Sequence, residues 1–497
     1  LARRSARLSQ SLLATAVFFL LTTPGAHGAA RIYWGGYGAS PPTISFANLD
    51  GSGAGELNTN GATLEEPLGI TIDAAAGRVY WSNDAAPKIS FANLDGSGGR
   101  DLNTIGALTN PLAGIAIYPA TGRIYWANTG LPGISYANLD GSGGSDLKTG
   151  AAPISGPEGV AIDPTAGRIY WANNSDGTIS FANLDGSGGG ELKTGAATIK
   201  EPVGVAIDPV AHRIYWANFA PPATISFANL DGSGGGDLKT GAATVFRPEG
   251  VAIDPAAGRI YWANYGPPPT ISFANLDGSG GGDLPIDPMK VKEPAFPALL
   301  EPPIGAGAPA VAGRTAPGSQ LSCSKGSWAP DLIESFLYRV PQSYAYQWSR
   351  NGADVAGATS ESIAAGSVAN YQCRVTARNE AGSAAQTSPA RGVFKLGKVK
   401  LDLRKGTAKL PVTVAGPGAI RLTGKGVVTR KASSGARARA AAAGSGVTRT
   451  LLVKVKGRKK LNRTGKTKVS VKVTYTPSGG TPGGQAKRIK LRKSIHR

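Results

Sequence analysis

Histidine, cysteine and methionine are nearly missing: three, two and one in 497 residues. His27 lies in the N-terminal segment, His212 in a turn and His496 at the chain end. Residues so placed cannot assemble a histidine triad, a zinc site or an imidazole general base. The first cysteine is Cys323, which excludes thiol chemistry from everything before it. Acids fail at the other end. From Lys395 to Arg497, 28 Lys and Arg face one acid, Asp402, a formal charge of +27; the whole chain carries +21, so residues 1–394 sum to −6. Long apolar runs are missing too, and the run from Leu12 to Leu21 is too short to span a bilayer. Arg3, Arg4 and Arg7 precede it and a small-residue stretch ends at Gly28, the pattern of a secretory signal over 1–28.

What the chain has in quantity is repetition. Tyr-Trp occurs six times, at Trp34, Trp81, Trp126, Trp171, Trp216 and Trp262, in steps of 47, 45, 45, 45 and 46 residues. Each pair is followed by Ile-Ser-(Phe/Tyr)-Ala-Asn-Leu-Asp-Gly, starting at Ile44, Ile89, Ile134, Ile179, Ile225 and Ile271. A period in the forties made of short apolar runs and Gly-rich turns predicts one four-stranded sheet per repeat. In the clearest unit, Gly204–Asp208 is strand A, Arg213–Asn218 B, Thr224–Leu230 C and Asp237–Thr240 D. The A pattern occurs only five times, at Gly69, Gly114, Gly159, Gly204 and Gly250. Closing a ring therefore needs an innermost strand from Gly28–Arg31 or from the segment after Leu284, with Ala295–Leu300 a candidate.

Pro-x-Gly-Val-Ala-Ile-Asp, Arg-Ile-Tyr-Trp-Ala-Asn and Ile-Ser-Phe-Ala-Asn-Leu-Asp-Gly together resemble the YWTD repeats of six-bladed lipoprotein-receptor propellers. The first strand also resembles that of NHL repeats. The resemblance implies an all-β fold whose residues 29–290 are a six-bladed propeller. One departure matters: the family's closing aspartate is Asn83, Asn128, Asn173, Asn218 and Asn264 here, and Gly36 in blade one, so the inter-blade hydrogen bonds are expected to differ.

Asp73, Asp163, Asp208 and Asp254 recur before the A–B turn, which reads as turn capping. The acid pairs of the C–D turns, such as Asp231 and Asp237, offer too few oxygens for calcium unless carbonyls add the rest. Solvent-facing hairpins are the simpler reading, and no metal or cofactor is expected. The loops that break the repeat carry more information. From Tyr to the next Ile is 9 residues in blades two to four, 10 in blades five and six, and 11 in blade one. Tyr37, Phe219 and Tyr265 sit on these longer, proline-stiffened loops, in blades that are neighbours only if the ring closes. With Glu158, Glu249 and Arg247 they form the expected ligand-binding rim.

Residues 291–310 read as a Pro-rich linker. Over 311–394, Leu321-Ser322-Cys323, Tyr344–Trp348 and Tyr371-Gln372-Cys373 resemble an immunoglobulin-like β-sandwich, with Tyr371 two residues before the second cysteine. Cys323 to Trp348 is 25 residues, so Ser327–Pro341 is expected to be an inserted loop. A lone cysteine pair in an exported chain argues for a Cys323–Cys373 disulfide, contributing roughly 4 kcal/mol by loop entropy.

Residues 395–476 alternate apolar with Lys, Arg or Thr, which predicts a small basic β-sandwich with one cationic face. It resembles the Lys/Gly-rich C-terminal modules of secreted bacterial proteins. Residues 477–497 read as a disordered basic tail. Lys454, Lys456, Lys468 and Lys472 are the expected polyanion contacts. Phe394 and Tyr475 are the only aromatics there, which argues against base stacking and so against nucleic acid. Anionic wall polymers, acidic glycans or lipid headgroups fit an exported bacterial chain better. The expectation is a secreted or envelope-associated, non-enzymatic binding or scaffold protein, whose ligand is a protein or glycan. The alternatives are a calcium-dependent, lactonase-like propeller hydrolase and a purely structural surface protein.

Overall fold

Short runs of Ile, Val, Tyr and Trp between Gly-rich turns form antiparallel sheets throughout the computed structural model, which describes residues 30–110, 112–434 and 446–495. The expected signal segment, His27 and His496 lie outside these residues. In blade four, Pro157–Asp163, Arg168–Asn173, Thr178–Asn183 and Gly189–Glu191 pair in that order, and blades two, three, five and six repeat it. Blade one takes its innermost strand from far downstream: Pro294–Leu300 pairs antiparallel with Arg31–Gly36. Of the stretch 291–310 expected to be a linker, this strand is part of the ring, and Gly305–Gly307 pairs with Ser327–Trp328. Seven consecutive buried positions in Pro294–Leu300 are what a strand covered on both sides requires.

Packing between blades is written in one repeated network. All six Tyr-Trp tryptophans are fully buried. Each donates its indole N–H to a carbonyl on the connection entering its blade, at 2.7–3.1 Å. Asn83, Asn128, Asn173, Asn218 and Asn264 close the motif. Each accepts a backbone N–H from that connection and donates to a buried serine, for example Ser180 at 2.9 Å from Asn173. An amide both accepts and donates, which a carboxylate cannot, so the departure from aspartate is compensated locally.

The channel is closed by the chain itself. The third residue of strand A is glycine in five blades because neighbouring inner strands nearly touch: a Cβ on Gly159 would lie 2.6 Å from the Cα of Gly204. Blade one breaks that series with Phe296, whose ring packs against both Gly250 and Gly114 and so spans the axis. Below it the inserted loop of the immunoglobulin-like module enters from the A–B turn side. Leu337–Tyr338 adds to Pro294–Leu300 as a parallel strand. The Ser335 hydroxyl donates to the Ile207 carbonyl, and the Tyr338 and Thr71 hydroxyls bond at 2.6 Å.

The immunoglobulin-like module packs Val311–Gly313, Ser319–Cys323 and Ser362–Ala365 against a second sheet centred on Ser343–Arg350 and Ala369–Asn379. Cys323 and Cys373 are disulfide-bonded beside the fully buried Trp348. The C-terminal region is two four-stranded sheets around Leu410, Val412, Leu422, Val471, Val473 and Leu491. The disordered tail expected over 477–497 is corrected for most of its length. Gly483–Arg492 pairs with Lys466–Pro477, burying Ile489 and Leu491. The basic, Gly-led composition hid a strand whose backbone bonds are supplied by its long neighbour.

Truncating Trp171 to alanine removes a fully buried indole and should cost about 3–5 kcal/mol in urea denaturation. A loss under about 1 kcal/mol would contradict the inter-blade role.

Candidate functional site

At the end of the ring opposite the inserted loop, a cavity of about 220 Å³ is lined by Tyr37, Leu68, Asp84, Thr129, Glu158, Asn174, Glu201, Val203, Phe219 and Glu249. Three circles of repeat positions surround it. The first is the residue after strand B: Tyr37, Asp84, Thr129, Asn174, Phe219 and Tyr265. The second is the second residue of strand A: Leu68, Ala113, Glu158, Val203, Glu249 and, in blade one, Ala295. Every A strand slips register at that point, as between Pro157 and Val160. A bulge re-aims its side chains, which is how Glu158 and Glu249 reach the axis from strands otherwise apolar.

The third circle is the residue just before strand A, held in the left-handed region at Glu66, Glu201, Arg247 and Glu293, with φ of 46–50°. Its carbonyl accepts the N–H of the first-circle residue, as Glu201 does from Phe219 at 3.2 Å. Glycine occupies this place at Gly156 without strain. Three glutamates stand where glycine would cost less, and one of them, Glu201, lines the cavity.

Of the expected rim residues, Tyr37, Glu158, Phe219 and Glu249 line this one cavity. Tyr265 stands behind Tyr37, ring centroids 6.0 Å apart, and Arg247 lies over the Phe219 and Phe246 rings at 5.6 and 5.8 Å. These last two shape the rim and do not line the cavity. Asp84, Glu201 and the floor residue Phe296 escaped sequence reading. Asp84 follows the closing asparagine just as Phe219 and Tyr265 do, which was the available signal.

Asp84, Glu158 and Glu249 are half-buried and feel one another's charge, while Glu201 is exposed at the mouth. Burial first, then the charges of Glu249 and Asp84, push Glu158 up to about 8. Burial raises Glu249 to about 7. Asp84 is also raised, by burial and by Glu66. Its carboxylate accepts the Tyr37 hydroxyl at 3.4 Å, and burial plus nearby acids push that phenol up to about 12. Among the described residues no cationic side chain lines the cavity. Such a site gains most from a ligand that brings positive charge.

The other aspartates of the propeller are structural. Asp73, Asp163, Asp208 and Asp254 accept turn N–H groups two or three residues on. Asp50, Asp95, Asp140, Asp185, Asp231 and Asp277 accept the N–H of the serine two residues on, which, with the serine hydroxyl, holds their carboxyls below the usual range. Asp101, Asp146, Asp237 and Asp283 are not simple hairpin acids. They tie the incoming connection to its blade through Thr63, Leu108, Thr198 and Thr244. Among the described residues no three His, Cys, Asp or Glu side chains are grouped to hold a metal ion. A larger depression, about 710 Å³, opens between blades four and five and includes Asp163, Arg168, Tyr170 and Asp231. Those positions recur in other blades, so nothing marks it as a site.

A carboxyl raised in the folded state keeps a proton that the unfolded chain has already released, so stability falls as pH rises from about 4.5 to about 8. Glu158→Gln should therefore raise the melting temperature at pH 8.5 and leave it near wild type at pH 4. Equal melting temperatures at pH 8.5 would show that Glu158 is solvated.

No family model and no curated protein matches the chain. Solved structures resemble it at low identity. A nidogen/laminin complex is 17% identical with TM-score 0.45, matched over 55% of this chain and 98% of that one. A putative 6-phosphogluconolactonase from Bacteroides fragilis is 15% identical with TM-score 0.40, over 56% and 99%. A gluconolactonase from Xanthomonas campestris is 15% identical with TM-score 0.36, over 50% and 87%. The likeness is one of chain architecture and says nothing of ligand or reaction.

Proposed function

We propose that this is an exported, non-enzymatic binding protein whose propeller takes a cationic group, a primary amine or guanidinium, carried by a protein or other ligand. The carrying observation is the convergence of Asp84, Glu158, Glu201 and Glu249 with Tyr37 and Phe219 in one cavity, at repeat positions whose residue varies from blade to blade. Carboxylates would pair with the cation while the rings cover its apolar stem and offer cation–π contact. Cation binding draws the raised carboxyls into their charged form, so affinity is coupled to pH. The C-terminal sheets hold the protein at an anionic envelope. Among the described residues no helix is long and apolar enough to cross a membrane.

Calorimetry with hexylamine, or with a short lysine-rich peptide, tests the first part. Affinity should rise at least about tenfold between pH 6 and 8.5, as Glu249 and then Glu158 ionise. Glu158→Gln with Glu249→Gln should abolish both the binding and its pH dependence. Binding indifferent to pH would contradict the cation reading.

Glu201→Gly tests the strained mouth. It relieves a left-handed non-glycine backbone worth about 1 kcal/mol and removes one carboxylate. Stability should hold or rise while amine affinity falls; unchanged affinity would place Glu201 outside the site.

For the second part, the full chain should sediment with an envelope fraction at low salt and be released by salt without detergent. A chain that stays in the supernatant at low salt would refute retention by charge.

A further inference from the structure

The C-terminal module offers a more specific surface than its net charge suggests. In the sheet made of Arg430–Ser434, Gly418–Thr423, Lys466–Pro477 and Gly483–Arg492, the inward positions are the buried Leu422, Val469, Val471, Val473, Ile489 and Leu491. The outward positions include Arg421, Lys431, Lys466, Lys468, Lys472, Arg488, Lys490 and Arg492, all exposed. None of the eight makes an ion pair among the described residues. Three pairs of like charge stand directly opposite each other in register: Arg421 with Lys431, Lys466 with Arg492, and Lys468 with Lys490. Like charges so placed destabilise a sheet. Lys454 and Lys456, also expected as contacts, follow Val447–Val453 in the other sheet and are not part of this face.

We infer that this face is a docking surface for a linear, flexible phosphodiester polymer lacking bases. Successive outward positions on a strand lie about 6.8 Å apart and neighbouring strands about 4.8 Å apart. The face is thus a regular grid of cations with several rows for one chain to follow. Arg421, Arg488 and Arg492 add planar donors suited to bidentate phosphate contact. The other outward positions, among them Ala419, Thr423, Ser470, Thr474, Thr476, Gly484 and Ala486, are small. They include no aromatic to stack on a base and no large apolar residue to enter a bilayer. The inference rests on the reading that these sheets hold the protein at an anionic envelope, and names the site and ligand chemistry for it.

The test uses the full chain and sodium polyphosphate as the probe, titrated over 50–300 mM salt. About six contacts should give a slope near 4 in log Kd against log salt. Lys468→Glu sets an opposite charge against Lys490, so the free variant should melt no lower than wild type while its polyphosphate affinity falls at least fivefold. Lys409→Glu, in the other sheet, should change affinity less than twofold. If both variants weaken binding alike, the ligand reads net charge and the face is not a site. If vesicles of anionic phospholipid or an oligonucleotide of equal charge bind tenfold tighter than polyphosphate, the ligand class is overturned. Envelope sedimentation that persists while polyphosphate fails to bind would leave retention standing and remove this site.

Discussion

Everything in the first 340 residues depends on one strand pairing, Pro294–Leu300 with Arg31–Gly36. Without it six sheets form an arc with two unpaired edges. With it the inner edge of the closing strand is left facing the channel, and the chain covers that too. Leu299 and Glu301 donate to Phe336 and Tyr338, carbonyls that belong to the insertion in the next module. The ring and the immunoglobulin-like module therefore share one hydrophobic core, which includes Leu299, Leu300, Phe336, Leu337 and Tyr338. Phe296 and this insertion turn an open channel into a chamber with one mouth.

A repeat protein makes its site by departing from its own repeat. Trp, Asn and Ser recur because each blade must satisfy the same buried donors and acceptors. Around the mouth none of the three circles holds one residue throughout. Glu158 and Glu249 replace apolar neighbours at the bulge, and Glu66, Glu201 and Glu293 accept left-handed backbone strain. Positions that cost stability without serving the ring are where binding chemistry is most economically sought.

Much of this was legible in the sequence, because period and alternation are local signals. Six Tyr-Trp pairs gave the blade count, five A patterns exposed the missing strand, and loop lengths picked out Tyr37, Phe219 and Tyr265. The rest depends on contacts distant in sequence. Nothing local says that Phe296 fills the place of a sixth glycine, or that Leu337–Tyr338 enters the channel. The final strand Gly483–Arg492 was hidden for a different reason: its stability comes from pairing with Lys466–Pro477, not from its own apolar content. Residues Asp101 and Asp237 looked like solvent-facing turn acids because their partners lie 38 and 39 residues away.

The central claim is that ring closure leaves a half-buried acidic chamber suited to a cation. Carboxyl-carbon NMR of the full chain, with Glu158 assigned through Glu158→Gln, tests it most directly. The account predicts that Glu158 titrates near 8 in the free protein, far above the ordinary 4.5. Saturating hexylamine should then pull its midpoint down. A carboxyl that titrates at its ordinary value, or one that ignores the amine, would contradict it.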